Sequence, residues 1–118
     1  MQQTIINAVN QIKDQQLCQS FSGIRRGIER ECLRVNGDGS LAQTGHPSAL
    51  GSTLTNPYIT TDFAEPLLEF ITPAFTQTDE TLGFLADVHQ FTHQHIGDEL
   101  LWAASMPCML PAKDSDIP

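Results

Sequence analysis

Two stretches of this chain carry acidic residues where the surrounding pattern asks for a buried strand, and they restrict its fold more than any other feature. The first runs from Gly23 to Val35 and holds Glu29-Arg30-Glu31 among Ile24, Ile28, Cys32, Leu33 and Val35. The second runs from Thr60 to Thr72 and holds Asp62, Glu65 and Glu69 among Phe63, Leu67, Leu68, Phe70 and Ile71. An ionised carboxylate inside apolar surroundings is costly unless something pairs with it. A divalent cation is one such partner, and cations held by carboxylates commonly serve phosphate chemistry.

The chain has 118 residues, enough for one small domain. Six basic residues stand against fourteen acidic ones, a net charge of −8. That balance argues against nucleic acid as a partner, because a phosphate backbone needs clustered positive charge. It disfavours an anionic membrane surface for the same reason. Four of the six basic residues, Arg25, Arg26, Arg30 and Arg34, fall in the first motif. They allow either contact with an anionic substrate or ion pairing across a sheet. Cys18, Cys32 and Cys108 lie far apart without zinc spacing, which predicts reduced thiols and a cytoplasmic protein. No signal-peptide pattern or membrane-length apolar run is visible, so no membrane partner is expected.

The pattern predicts an α+β fold, an antiparallel sheet with flanking helices. Ile5, Val9 and Ile12 recur at helical spacing within residues 4–17. Residues 24–35 read as a strand. Asn36-Gly37-Asp38-Gly39 reads as a hairpin turn, with Ser40 to Thr44 as a short return strand. Residues 45–57 read as a loop with one helical turn from Pro47 to Leu50. Segments 58–63 and 67–72 read as strands joined near Pro66, which belongs at a strand start, edge or bulge. A helix follows, capped by Thr76 or Thr78, with Leu82, Leu85, Val88 and Phe91 as its apolar face beside Phe84, and Gly97 at its end. The apolar tail Met106–Pro111 has no evident packing partner and suggests a piece of something longer.

On a strand, residues i and i+2 share a face, which sets Glu29 and Glu31 about 6.5–7 Å apart along the backbone. A neighbouring strand about 4.8 Å away that carries Asp62 or Glu69 would bring more oxygens within reach. Such a group must be protonated, separated, paired with arginine or bridged by cations, and Mg2+ or Mn2+ suits oxygen donors. The competing reading puts Glu29 and Glu31 on the solvent face of an amphipathic strand. Leu33 and Val35, which share their parity, argue against it. His89 and His93 are spaced for one helix face, but nothing else in that segment completes a metal motif, so a solvated face is expected there. Cys32 reads as a packed thiol.

At this point the residues resemble a known family. Gly27-Ile28-Glu29-Arg30-Glu31-Cys32-Leu33-Arg34-Val35, Thr44-Gly45-His46-Pro47, Ile59-Thr60-Thr61-Asp62-Phe63-Ala64-Glu65, Leu67-Leu68-Glu69-Phe70-Ile71-Thr72-Pro73 and Ser105-Met106-Pro107-Cys108 look like the N-terminal part of bacterial glutamate–cysteine ligase. The resemblance implies a glutamine-synthetase-like ligase fold, with residues 1–118 as the N-terminal part of its catalytic domain. It also implies ATP-dependent joining of glutamate to cysteine through γ-glutamyl phosphate, the first step of glutathione biosynthesis. Glu29, Glu31, Asp62 and Glu69 match family positions that bind Mg2+ or Mn2+, and Phe63 matches a position near the cysteine substrate. No catalytic residue beyond the metal ligands is implied, and Glu65 and the arginines stay unassigned. The implied partners are the small molecules glutamate, cysteine and ATP. The family enzyme is several-fold longer, so the piece alone is expected to be inactive and, with cut sheet edges, to self-associate. The alternative is a stand-alone, non-catalytic binding or regulatory module that keeps the beginning of the fold.

Overall fold

The computed structural model describes residues 1–118. Its centre is a four-stranded antiparallel sheet in the order β2-β3-β1-β4, with β1 at Glu29–Val35, β2 at Ile59–Thr61, β3 at Leu67–Ile71 and β4 at Leu100–Leu101. Helix α1 covers Gln2–Asp14 and helix α2 covers Thr78–His93. The α+β architecture expected from the sequence is present. No helix is long and apolar enough to cross a membrane.

The sheet has two unlike faces because its strands alternate. Cys32 of β1, Ile59 of β2, and Leu68 and Phe70 of β3 are buried in one cluster with Leu50, Val88 and Ile96. Helix α2 closes this side with Val88, Phe84 and Leu85. Thr81 and Thr92, also on α2, are fully buried, and the Thr92 hydroxyl donates to the Val88 carbonyl at 2.9 Å. The covered stripe of α2 is thus rotated from the expected one. Leu82 and Phe91 face water, because two threonines small enough to sit on the sheet take the contact instead. The helix starts after Gln77, not at a threonine cap, and stops at His93, four residues before Gly97. Thr78 is engaged elsewhere, since its hydroxyl accepts from the Arg26 guanidinium at 3.3 Å.

A second, smaller cluster holds Val35, Leu41 and Cys108, with Leu33, Trp102 and Ile117 against it. This is what covers the tail: Leu41 donates its N–H to the Met109 carbonyl at 2.9 Å, and Cys108 is buried. Met106, Met109 and Leu110 remain exposed. The segment after Gly39 therefore meets both β1, through the Val35–Leu41 bridge, and the tail, and forms no return strand of its own. The turn at residues 36–39 is present. Only Gly39 among its residues adopts positive φ, at +84°.

β1 begins later than the strand expected from residue 24. Before Glu29 the chain is tied to the segment after β3 by an Arg26–Phe75 bridge, and Ile28 donates to the Thr72 hydroxyl at 2.8 Å. Gly27 permits this approach, because a Cβ there would sit 3.0 Å from the Thr72 carbonyl oxygen. Helix α1 packs only on the short turn that follows it, and none of its residues is buried; Ile5 is 61% exposed. The radius of gyration of 19.5 Å reflects this projecting helix, since a compact chain of this length would have about 13.5 Å.

Candidate functional site

The opposite face of the sheet, away from α2, carries the acidic residues. Glu31 of β1 and Glu69 of β3 are direct partners across the β1/β3 ladder, so their side chains leave the same face side by side. Glu29 lies two residues along β1 on that face, opposite Ile71. Thr60 of β2 pairs with Glu69 from the other side. Asp62, which shares the parity of Thr60, donates its backbone N–H to the Leu67 carbonyl at 3.2 Å. All four carboxylates expected from the sequence thus stand on one face, carried by three neighbouring chain segments.

This face is open. Glu29, Glu31 and Asp62 are exposed and only Glu69 is half-buried. The solvent-face alternative therefore holds for β1 in this chain, and the burial expected for its two glutamates does not. Leu33 and Val35 share their parity because the same face passes under the second apolar cluster at its far end.

None of these carboxylates has a cationic partner. The one ion pair of the chain lies on the other face, where Arg34 meets Glu99 at 2.6 Å. Arg30 also faces α2 and donates to His89 Nε2 at 2.8 Å. Arg25 is held by the Ala74 carbonyl at 2.8 Å. Of the two sequence options, ion pairing holds for Arg34, whose partner Glu99 leads into β4, the strand beside β1; strand parity sends Arg30 and Arg34 away from the glutamates of β1.

The electrostatic consequence shows at Glu69. Its partial desolvation, then the negative charges of Glu29, Asp62 and Glu31, push its carboxyl above the ordinary glutamate value. A carboxyl raised in the folded state holds its proton longer than in the unfolded chain. Stability is therefore expected to fall as pH rises from the ordinary value through the raised one. Side-chain NMR titration checks this. Glu69 should titrate above an unperturbed glutamate and move back down in Glu31→Gln, and a Glu69 at or below the ordinary value would contradict the crowding.

The donor set, four carboxylates without a countercharge, suits Mg2+ or Mn2+. Within these 118 residues, however, no three histidine, cysteine, aspartate or glutamate side chains come close enough to enclose an ion. The histidines form no alternative centre. His89 sits against Phe70 with its ring centroid 4.9 Å away, and His95 contacts the Phe91 carbonyl. Burial, then Arg30 and His93, lower the pKa of His89, which fits a neutral ring accepting from Arg30. Phe63 is 87% exposed, immediately after Asp62. Burial raises the Cys32 thiol, as expected of a packed cysteine.

Sequence reasoning missed the polar hub behind the sheet. Arg34 is 0% exposed and donates to the hydroxyl and carbonyl of Thr44, the carbonyls of Gly45 and Glu65, and Glu99. Glu65 accepts the His46 backbone N–H at 2.7 Å, and His46 Nε2 donates to the Gly51 carbonyl at 3.1 Å. The hub ties β1, the loop after residue 43, the β2–β3 connection and the segment before β4 together. Its one visible signal was that Arg34, Thr44-Gly45-His46 and Glu65 all fall in distinctive motifs.

Comparison with known proteins adds the following. The family pattern described as glutamate-cysteine ligase matches residues 9–118. A glutamate–cysteine ligase of Alcanivorax borkumensis is 60% identical over 99 residues, which is 84% of this chain and 19% of the relative. The chain thus spans about a fifth of the length of that curated relative. Among solved structures, the glutamate–cysteine ligase of Francisella tularensis in complex with AMP is 45% identical, with a TM-score of 0.74 over 79% of this chain and 18% of that one. A bifunctional glutathione synthetase of Pasteurella multocida is 36% identical, with a TM-score of 0.83 over 90% of this chain and 14% of that one.

Proposed function

The chain belongs to the glutamate–cysteine ligase family, and from that premise we propose that residues 1–118 form the first part of the catalytic domain of an ATP-dependent ligase. Its reaction joins the γ-carboxylate of glutamate to the amine of cysteine, the first step of glutathione biosynthesis. An oxygen of the glutamate side-chain carboxylate takes the γ-phosphoryl group of ATP, and ADP leaves with the bridging oxygen. The cysteine amine then attacks the carboxyl carbon, loses a proton and expels phosphate. The observation that carries this reading is the placement of Glu29, Glu31, Asp62 and Glu69 on one open sheet face with no arginine paired to them.

These four carboxylates are the residues that would hold Mg2+ or Mn2+. Bound there, such ions neutralise phosphate oxygens and the charge that develops during transfer. The rest is positioning, because no covalent enzyme intermediate is needed. The β1/β3 ladder fixes Glu31 beside Glu69, and the Arg34 hub holds β1 against the loops behind it. Phe63 stands beside Asp62, where it would contact the cysteine substrate. The AMP-bound relative supports a nucleotide as co-substrate. Three free thiols suit the cytoplasm.

Two measurements test the reading. Mn2+ added to the isotope-labelled chain is expected to broaden resonances around Glu29, Glu31, Asp62 and Glu69, weakly and saturably. Broadening centred elsewhere, or submicromolar Mg2+ affinity by calorimetry, counts against a partial site. The purified chain with glutamate, cysteine and ATP is expected to yield no γ-glutamylcysteine, and product formation would overturn the idea that the site is shared with further chain.

A further inference from the structure

The four ion-facing carboxylates leave out Glu65, which lies in the connection between β2 and β3, three residues after Asp62. Residue 65 is nevertheless held at three points. Its backbone carbonyl accepts from the buried Arg34 guanidinium at 3.2 Å. Its backbone N–H donates to the Pro118 carbonyl at 3.1 Å. Its carboxylate accepts the His46 backbone N–H at 2.7 Å. That amide is itself fixed, because the His46 ring reaches the Gly51 carbonyl at 3.1 Å and Leu50 in the same loop is buried. The next residue, Pro66, is fully buried, and its carbonyl accepts the Arg34 backbone N–H at 2.8 Å.

The other half of the connection has little to hold it. Between Thr61 of β2 and Glu65 the chain has three residues and no buried side chain, and Phe63 is 87% exposed. Asp62 is tied to the sheet through its backbone N–H, which donates to the Leu67 carbonyl at 3.2 Å, the long end of the usual range. The course of Asp62 is thus set by the fixed points on either side of it. The Arg34 contact with a carbonyl lets residue 65 pivot, and the second grip, on its side chain, removes that freedom. A hydrogen bond to an ionised acceptor is shorter and stronger than a neutral one.

We infer that Glu65 is a positioning residue, whose carboxylate latches the β2–β3 connection to the loop at His46 and so fixes where Asp62 presents its oxygens on the acidic face. The inference rests on the ligase reading for the ions that Asp62 would face. Glu65 acts through the backbone and not as a fifth ligand. The charges that crowd Glu69 are those of Glu29, Asp62 and Glu31, and Glu65 is not among them. A ligand held in place beforehand spares the ion the cost of ordering it. What the latch requires is an acceptor at this position, which glutamine supplies and alanine does not.

Glu65→Ala and Glu65→Gln in the isotope-labelled 118-residue chain separate a latch from a ligand and from a general support. Without metal, Glu65→Ala is expected to speed amide hydrogen exchange at Asp62 about tenfold, the scale of one lost hydrogen bond to a charged group. It should also weaken the Mn2+ response at Asp62 about tenfold, as loss of a group behind a metal ligand does, with a smaller loss at Glu31. Glu65→Gln should stay near the wild type in both readouts. The inference is overturned if Glu65→Ala leaves Asp62 exchange unchanged, or if it speeds exchange throughout the sheet. It is equally overturned if Glu31 loses as much Mn2+ response as Asp62, or if Glu65→Gln loses as much as Glu65→Ala. Should Mn2+ spare the acidic face of the wild-type chain, the ligase reading fails, and the metal-free exchange at Asp62 alone decides the latch.

Discussion

Replacing Arg34 by methionine is expected to destabilise the chain by about 3–5 kcal/mol, the scale for breaking a buried pair and stranding its partners. Arg34 is fully buried, and its loss leaves the Glu99 carboxylate and the carbonyls of Thr44, Gly45 and Glu65 without their shared donor. A domain of this size has a total stability of about 5–15 kcal/mol, so the variant should populate unfolded chain at modest urea concentrations. Urea unfolding followed by circular dichroism measures the change. The double variant Arg34→Met with Glu99→Leu should recover part of it, because the uncompensated charge goes too. A loss below about 1 kcal/mol, the size of an exposed ion pair, would show that the hub is solvated and structurally minor.

Glu69→Gln should move stability and ion binding in opposite directions. Glu69 faces Glu31 directly and feels Glu29 and Asp62 as well. Without metal at neutral pH, removing its charge is expected to stabilise the chain by about 0.2–1 kcal/mol, the range for one cross-strand pair. The same change should abolish Mn2+ broadening in the chain and lower ligation in a longer family enzyme by at least about a hundredfold, as loss of a charge-stabilising group does. A group kept at a cost in stability for the sake of a ligand behaves in this way. If Glu69→Gln destabilises the chain and leaves the Mn2+ response intact, the acidic face is not an ion site.

The sequence revealed the strands through apolar content and the turn through Asn36–Gly39, and alternation was enough to put Glu29 and Glu31 on one face. It could not say which face α2 would cover. That depended on Thr81 and Thr92, whose hydroxyls look polar on a helical wheel but are met by backbone oxygens in the fold. The glutamates looked buried because Leu33 and Val35 follow at the same parity, yet a second cluster built from residues 41, 108 and 117 covers only that end. Arg34 was grouped with its neighbouring arginines by proximity in the chain. Its partners lie up to 65 residues away, and no local pattern carries that information.

Because acid and arginine alternate along β1, the two sides of the sheet are locked to each other by the pleat. Deleting one residue between Gly27 and Glu31 would turn Glu29 inward beneath α2 and drive neighbouring guanidinium groups into water, exchanging both environments in one step. A length change beside Leu54, 92% exposed in a connecting segment, exchanges no such pair of faces. The strand therefore tolerates substitution at single sites far better than it tolerates a frame slip, and any redesign of this chain must leave its spacing from Gly27 to Arg34 intact.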